Sequence, residues 1–196
     1  MSETTDATPT ETTPSAEEHA DERPSLNASV GSAAALIGAE HFGNGDRAAL
    51  RRISPEAPFT PALWKVLHQI GQHDAPDWIS QKEWERRWAT LLMGLAFCVE
   101  PGRTLHEYDV PLGRALFAAG WSELRFVRLL RSTGEGLDVE LRRVAQYLDS
   151  KAQPANWADV ARLLFYQSGD TADDIRLSIA RDYYGARYAA EQEQSE

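Results

Sequence analysis

The chain has 196 residues, 42% hydrophobic and 26% charged, which suits one globular domain or two small ones with a modest core. Cys98 is the single cysteine, which excludes an intrachain disulfide and favours a cytoplasmic setting. No apolar run reaches the roughly 20 residues that span a bilayer, and the polar, acidic start is unlike a signal peptide, so a soluble protein with no membrane partner is expected.

The net charge of −10 is unevenly placed. Residues 1–40 hold eight acids against Arg23 alone, and residues 191–196 hold three more. Setting those aside leaves 19 acids and 19 bases between 41 and 190, and only Lys65, Lys82 and Lys151 among these bases are lysines. Arginine offers phosphate a planar, forked set of donors that lysine does not match. The acidic total therefore does not exclude a nucleic-acid partner.

In chain order, residues 1–28 read as a disordered acidic extension, too poor in large apolar side chains to offset the entropy of ordering. An Ala-rich segment from Val30 to Ile37 reads as a first short helix, ended by Gly43-Asn44-Gly45. Further helices are expected near 46–53, 61–71, 81–98, 111–119, 123–132, 137–150, 157–167 and 171–190. Asp46 is placed to cap the first of these. Thr60 is an N-cap followed by Pro61 at the first helical position, with Phe59 and Trp64 spaced as a hydrophobic staple. Ser80 and Glu83 have capping-box spacing, with Ile79 and Trp84 as the staple, and Ser122 repeats the device with Trp121 and Phe126. Trp84, Trp88, Leu91, Leu92 and Leu95 fall on one helical face.

Alternating strand patterns are absent by comparison, so the fold class is all-α. The loop from Glu100-Pro101-Gly102 to Asp109 is the expected boundary between two helical lobes, 29–103 and 104–190, with an acidic tail over 191–196.

On a helix starting after Ser122, Arg125, Arg128 and Arg131 lie within an arc of about 120°, while Phe126, Val127, Leu129 and Leu130 take the other side. The next helix carries Leu137, Leu141, Val144 and Leu148 on one stripe and turns Arg142 and Arg143 away. A helix with one packed face and one arginine face can dock on phosphate without disturbing its core. The competing reading is a solvated face whose arginines pair with Glu123, Glu135, Asp138 and Glu140. A helix-turn-helix built from 111–119 and 123–132 around Gly120 is a further alternative, since arginine reads guanine in the major groove. A helical adaptor without a nucleic-acid role is the third.

Signals for catalysis are poor. His68 and His73 are five apart rather than the four that align two ligands on a helix, and His19, His41, His106 and Cys98 are scattered, so no metal or cofactor is expected. Asp170, Asp173 and Asp174 stand at a helix start, where acids favour the dipole. The six tryptophans are read first as core.

Asn44-Gly-Asp-Arg-Ala-Ala-Leu-Arg-Arg52, Leu112-Gly-Arg-Ala-Leu116, Ser122-Glu-Leu-Arg-Phe-Val-Arg-Leu-Leu-Arg131, Leu141-Arg-Arg143, Trp157-Ala-Asp-Val-Ala-Arg-Leu-Leu164 and Asp182-Tyr-Tyr184 occur in that order. Together they resemble the CasB family, the small subunit of the type I-E CRISPR Cascade complex. The resemblance implies a non-enzymatic subunit, present as a pair of copies beside the other Cascade subunits. It also implies contact with the CRISPR RNA–target DNA hybrid and the displaced DNA strand, stabilising the R-loop in antiviral defence. Onto the matching positions it carries Arg47, Arg51, Arg52, Arg114, Arg125, Arg128, Arg131, Arg142, Arg143 and Arg162 as candidate backbone contacts. The acidic extension departs from the family. A mobile anion beside a basic groove is expected to screen it, so deleting residues 1–40 should raise affinity for DNA.

Overall fold

The computed structural model describes residues 24–195, and most of the expected extension over 1–28 lies outside the described residues. The described chain is predominantly helical. Its helices are α1 (Leu26–Gly38), α2 (Asn44–Arg51), α3 (Pro61–Gln69), α4 (Gln81–Cys98), α5 (Leu112–Ala118), α6 (Glu123–Arg131), α7 (Gly134–Ser150), α8 (Trp157–Phe165) and α9 (Asp170–Glu193). Between α4 and α5 a two-residue antiparallel pair, β1 (Val99–Glu100) and β2 (Arg103–Thr104), turns the chain at the expected lobe boundary.

Several starts follow the chemistry expected of them. Thr60 Oγ1 accepts the Ala62 N–H at 3.2 Å and Ser80 Oγ accepts the Glu83 N–H at 3.3 Å, each satisfying an orphan donor of a first turn. Phe59 and Trp64 stack with ring centroids 5.8 Å apart, although both rings stay about two-fifths exposed. Asp170 and Asp173 stand in the first turn of α9, as the dipole reading requires.

Other starts differ. Glu83 pairs with Arg87 one turn on, at 2.9 Å. Ser122 makes no side-chain cap, and Trp121 and Phe126 find other rings: Trp121 stands edge-on to Tyr147 at 4.9 Å, and Phe126 stacks on Tyr183 at 4.0 Å. Asp46 sits inside the first turn of α2, where it pairs with Lys65 at 2.6 Å, while the N-cap is Gly43. Ser25 caps α1 through the Ala28 N–H, so residues 26–28 are helical rather than part of the extension. At the other end α9 carries the helix on to Glu193, into the expected tail.

The helices on both sides of the expected boundary share one apolar core that runs from Val30 to Tyr183. The expected face of α4 is buried, with Trp88, Leu91, Leu92 and Leu95 fully enclosed. Across the expected boundary α4 packs along α7 and α1 against α8, and on its C-terminal side α5 packs against α9. The last pair is very close, because a Cβ at Gly113 would meet the Ile179 carbonyl oxygen and the Tyr183 nitrogen of α9. Buried Asp159 on α8 accepts the Leu112 N–H at 3.0 Å and so caps α5 from a distance. Four of the six tryptophans are core; Trp64 and Trp78 are exposed. Cys98 is also enclosed, its thiol against the Ala145 carbonyl at 3.6 Å, and burial pushes that thiol up to about 12.

Candidate nucleic-acid interface

The ten candidate arginines fall into two populations. One is spent on partners within the fold, mostly the carbonyl groups that end other helices. Arg47 is only 4% exposed, and its guanidinium donates to the carbonyls of Ile37 (2.9 Å), Ala39 (3.1 Å) and Phe42 (2.5 Å) and to Asn44 Oδ1 (2.7 Å). It therefore closes the C-terminus of α1, which has no basic residue in its own last turn. Its expected part as a backbone contact is corrected accordingly: no face of this side chain is left for a phosphate.

Arg142 donates to the Arg51 carbonyl at 3.2 Å and to the Ile53 carbonyl, which ends α2, and lies over the Phe97 ring. Arg51 donates to the Ala96 carbonyl near the end of α4 at 2.6 Å and pairs with Glu100 at 2.7 Å. That hydrogen bond holds the Glu100 carboxyl below the usual carboxylate range. Arg162 is half-buried between Asp159 and Asn27, each at 3.2 Å.

The second population faces solvent. Arg52, Arg114, Arg125, Arg128, Arg131 and Arg143 are exposed. Of these, Arg125, Arg128 and Arg143 come together around an open groove between α6 and α7, about 370 Å³ in volume, completed by Trp121, Gln146, Tyr147 and Ser150. The Arg125 guanidinium lies 5.4 Å from the Trp121 ring centre, and Lys151 Nζ stands 5.7 Å from that of Tyr147. Tyr147 donates its hydroxyl proton to the Ala119 carbonyl at 2.9 Å, which fixes the ring as a wall.

The acids expected to neutralise this face are mostly engaged elsewhere. Glu123 binds Tyr184 at 2.9 Å and Arg187 at 2.8 Å, and those two donors hold its carboxyl below the usual range. Glu135 pairs with Arg86 at 2.8 Å. Asp138 accepts from Thr90 at 2.9 Å and lies 3.4 Å from Arg86; burial nevertheless pushes its carboxyl up. Glu140 alone among the four turns to the groove, where it meets both Arg128 and Arg143.

Sequence reasoning found the three groove arginines but not their walls. Gln146, Tyr147 and Ser150 carry no local signal, because their place depends on how α7 crosses α6. The one available hint was the three-residue spacing of Glu140 and Arg143 on a helix. Arg128 of α6 is joined to α7 through Glu140.

The fold is one seen before. The structure of CasB from Thermobifida fusca superposes with a TM-score of 0.64 at 20% identity, covering 81% of this chain and 97% of that one. CasB from Thermus thermophilus gives 0.62 at 19% identity, over 82% and 98%. A chain of E. coli Cascade bound to a PAM-containing double-stranded DNA target gives 0.57 at 19%, over 78% and 95%. No curated protein matches by sequence. These likenesses define the class, a helical protein with the CasB fold. The model of the CRISPR-associated protein Cse2 matches residues 46–184, and the chain belongs to that family.

Proposed function

We propose that the chain is a non-catalytic small subunit of a type I-E Cascade ribonucleoprotein. It holds nucleic-acid backbone along the α6–α7 face and so stabilises the guide–target hybrid and the displaced strand. The observation that supports this best is the open arginine groove, in a chain of the Cse2 family, with three of its four neighbouring acids paired elsewhere. The exchange of a DNA duplex for an RNA–DNA hybrid is nearly balanced in energy, so a few backbone contacts suffice to tip it. Arg125, Arg128 and Arg143 form the centre of this set. Arg131 continues it along α6, and Arg52 stands beside α7, between the two carbonyls that Arg142 engages. Arg114 is the outlying member.

Such contacts read charge rather than base sequence, so binding is sequence-blind and weakens steeply with salt. The test is co-purification of the full chain with CRISPR RNA and the other Cascade subunits, together with a second copy of itself. R-loop formation by the assembled complex is then compared with and without substitutions at the three groove arginines. A complex that assembles and forms R-loops equally well with all three replaced by Ala overturns the reading and leaves a helical adaptor. Retardation of one duplex sequence alone favours a regulator instead.

A further inference from the structure

Glu140 is an odd residue for its position. It is 4% exposed, on the side of α7 that otherwise buries Leu137, Leu141, Val144 and Leu148. Removing a carboxylate from water is costly unless charged partners and hydrogen bonds compensate, and an apolar residue would fill such a site without that cost. Its partners are two arginines from different helices. Arg128 of α6 meets it with both edges of the fork, Nε to Oε1 at 3.0 Å and Nη2 to Oε2 at 3.2 Å. Arg143, one turn along α7, donates Nη1 to the same Oε1.

Each guanidinium has five N–H donors; Arg128 and Arg143 each give Glu140 one hydrogen bond, and Arg128 Nε adds a close ion-pair contact. The rest of both forks remains at the groove, and the two side chains are 52% and 51% exposed. Free arginine side chains on a surface lose rotamer entropy when they grip a ligand. Here that ordering is already done. With Arg125 on the third side, the groove keeps a net positive charge after Glu140 is subtracted.

We propose that Glu140 is a positioning residue, a buried carboxylate that presets Arg128 and Arg143 as paired donors for one backbone phosphate. This rests on the nucleic-acid reading above but separates from it by sign. If Glu140 merely dilutes the positive charge, Glu140→Gln strengthens binding and steepens its salt dependence. If it positions the arginines, Glu140→Gln weakens binding about tenfold despite the gained charge, and makes the salt dependence shallower.

The experiment titrates the full chain with a mixed-sequence single-stranded oligodeoxynucleotide across a salt series. Glu140→Asp provides a second variant with unchanged charge and a carboxylate drawn back by one methylene; it too should bind several-fold more weakly. Circular dichroism and thermal melts confirm that both variants fold. In an Arg128→Ala, Arg143→Ala background the weakening by Glu140→Gln should vanish. Binding by Glu140→Gln as tight as wild type or tighter, or full retention by Glu140→Asp, overturns the positioning role alone. If wild type and the arginine variants all fail to bind, the parent reading falls and this inference with it.

Discussion

Arg47 and Arg128 look alike in sequence, each on a short amphipathic helix with a second arginine nearby, yet the structure uses them in opposite ways. Arg47, Arg51 and Arg142 close the carbonyl ends of α1, α4 and α2. Arg87, which drew no attention in the sequence, does the same for α8 through the Phe165 carbonyl at 2.8 Å. Arg125, Arg128 and Arg143 instead keep most of their donors at a groove. An arginine can thus serve a fold or a ligand according to what stands opposite it, and that is a matter of tertiary arrangement rather than local pattern.

The sharpest way to break this division is to exchange the consequences. Replacing Arg47 by Ala takes a donor from three carbonyls, of which only that of Ala39 keeps another in the Phe42 N–H, and should lower folding stability by about 3 kcal/mol in urea denaturation. The salt dependence of any DNA binding by the folded fraction should be unchanged. Replacing Arg125, Arg128 and Arg143 together should do the reverse. Affinity falls by on the order of a hundredfold and the salt slope is reduced by about three; with Glu140→Gln alongside, so that no buried carboxylate is left unpaired, the triple variant nearly keeps its thermal stability. A triple variant that unfolds, or an Arg47 variant that loses salt-dependent binding while folded, collapses the distinction.

The acidic N-terminal segment tests the groove from outside. Deleting residues 1–40 would remove α1, so the informative cut is 1–23. That truncation should raise oligonucleotide affinity several-fold at low salt and little at high salt, as filter-binding titrations would show.

Acid probes the fold alone. Burial holds the His106 imidazole below its usual range, and its Nδ1 accepts the Trp157 N–H at 3.2 Å. The unfolded chain takes up this proton at the ordinary value of 6.5 while the fold resists it, so stability is fully present above that pH and declines below it. A decline in stability as the pH falls below the ordinary imidazole value is expected in pH-dependent urea denaturation, and His106→Gln should flatten it.

Much of the helical map could be read in advance because its signals are local. Thr60-Pro61, Ser80 and the tryptophan stripe of α4 settle those elements within a few residues of chain. The start of α7 was hidden because Thr133-Gly134-Glu135-Gly136 has the composition of a loop, and α1 was read from Val30 rather than Leu26 because half of its apolar content is alanine. The groove was half legible. Arginine spacing on α6 is a helical fact, but the sorting of Arg47 and Arg142 away from it depends on carbonyls up to 91 residues distant. Glu140 was visible only as one of four acids near the arginines; that it alone faces them is decided by Arg86 and Arg187 drawing off the others.

The enclosed thiol of Cys98 has a practical corollary. It is the only cysteine of the sequence and sits inside the core with its ionisation suppressed, so alkylating reagents should pass over it while the protein is folded. A single Gln146→Cys substitution on the groove wall would then be the one site to take a dye or a spin label. The native chain is in this respect already a background for spectroscopy, and the approach of a strand to the groove can be followed from a reporter placed beside it.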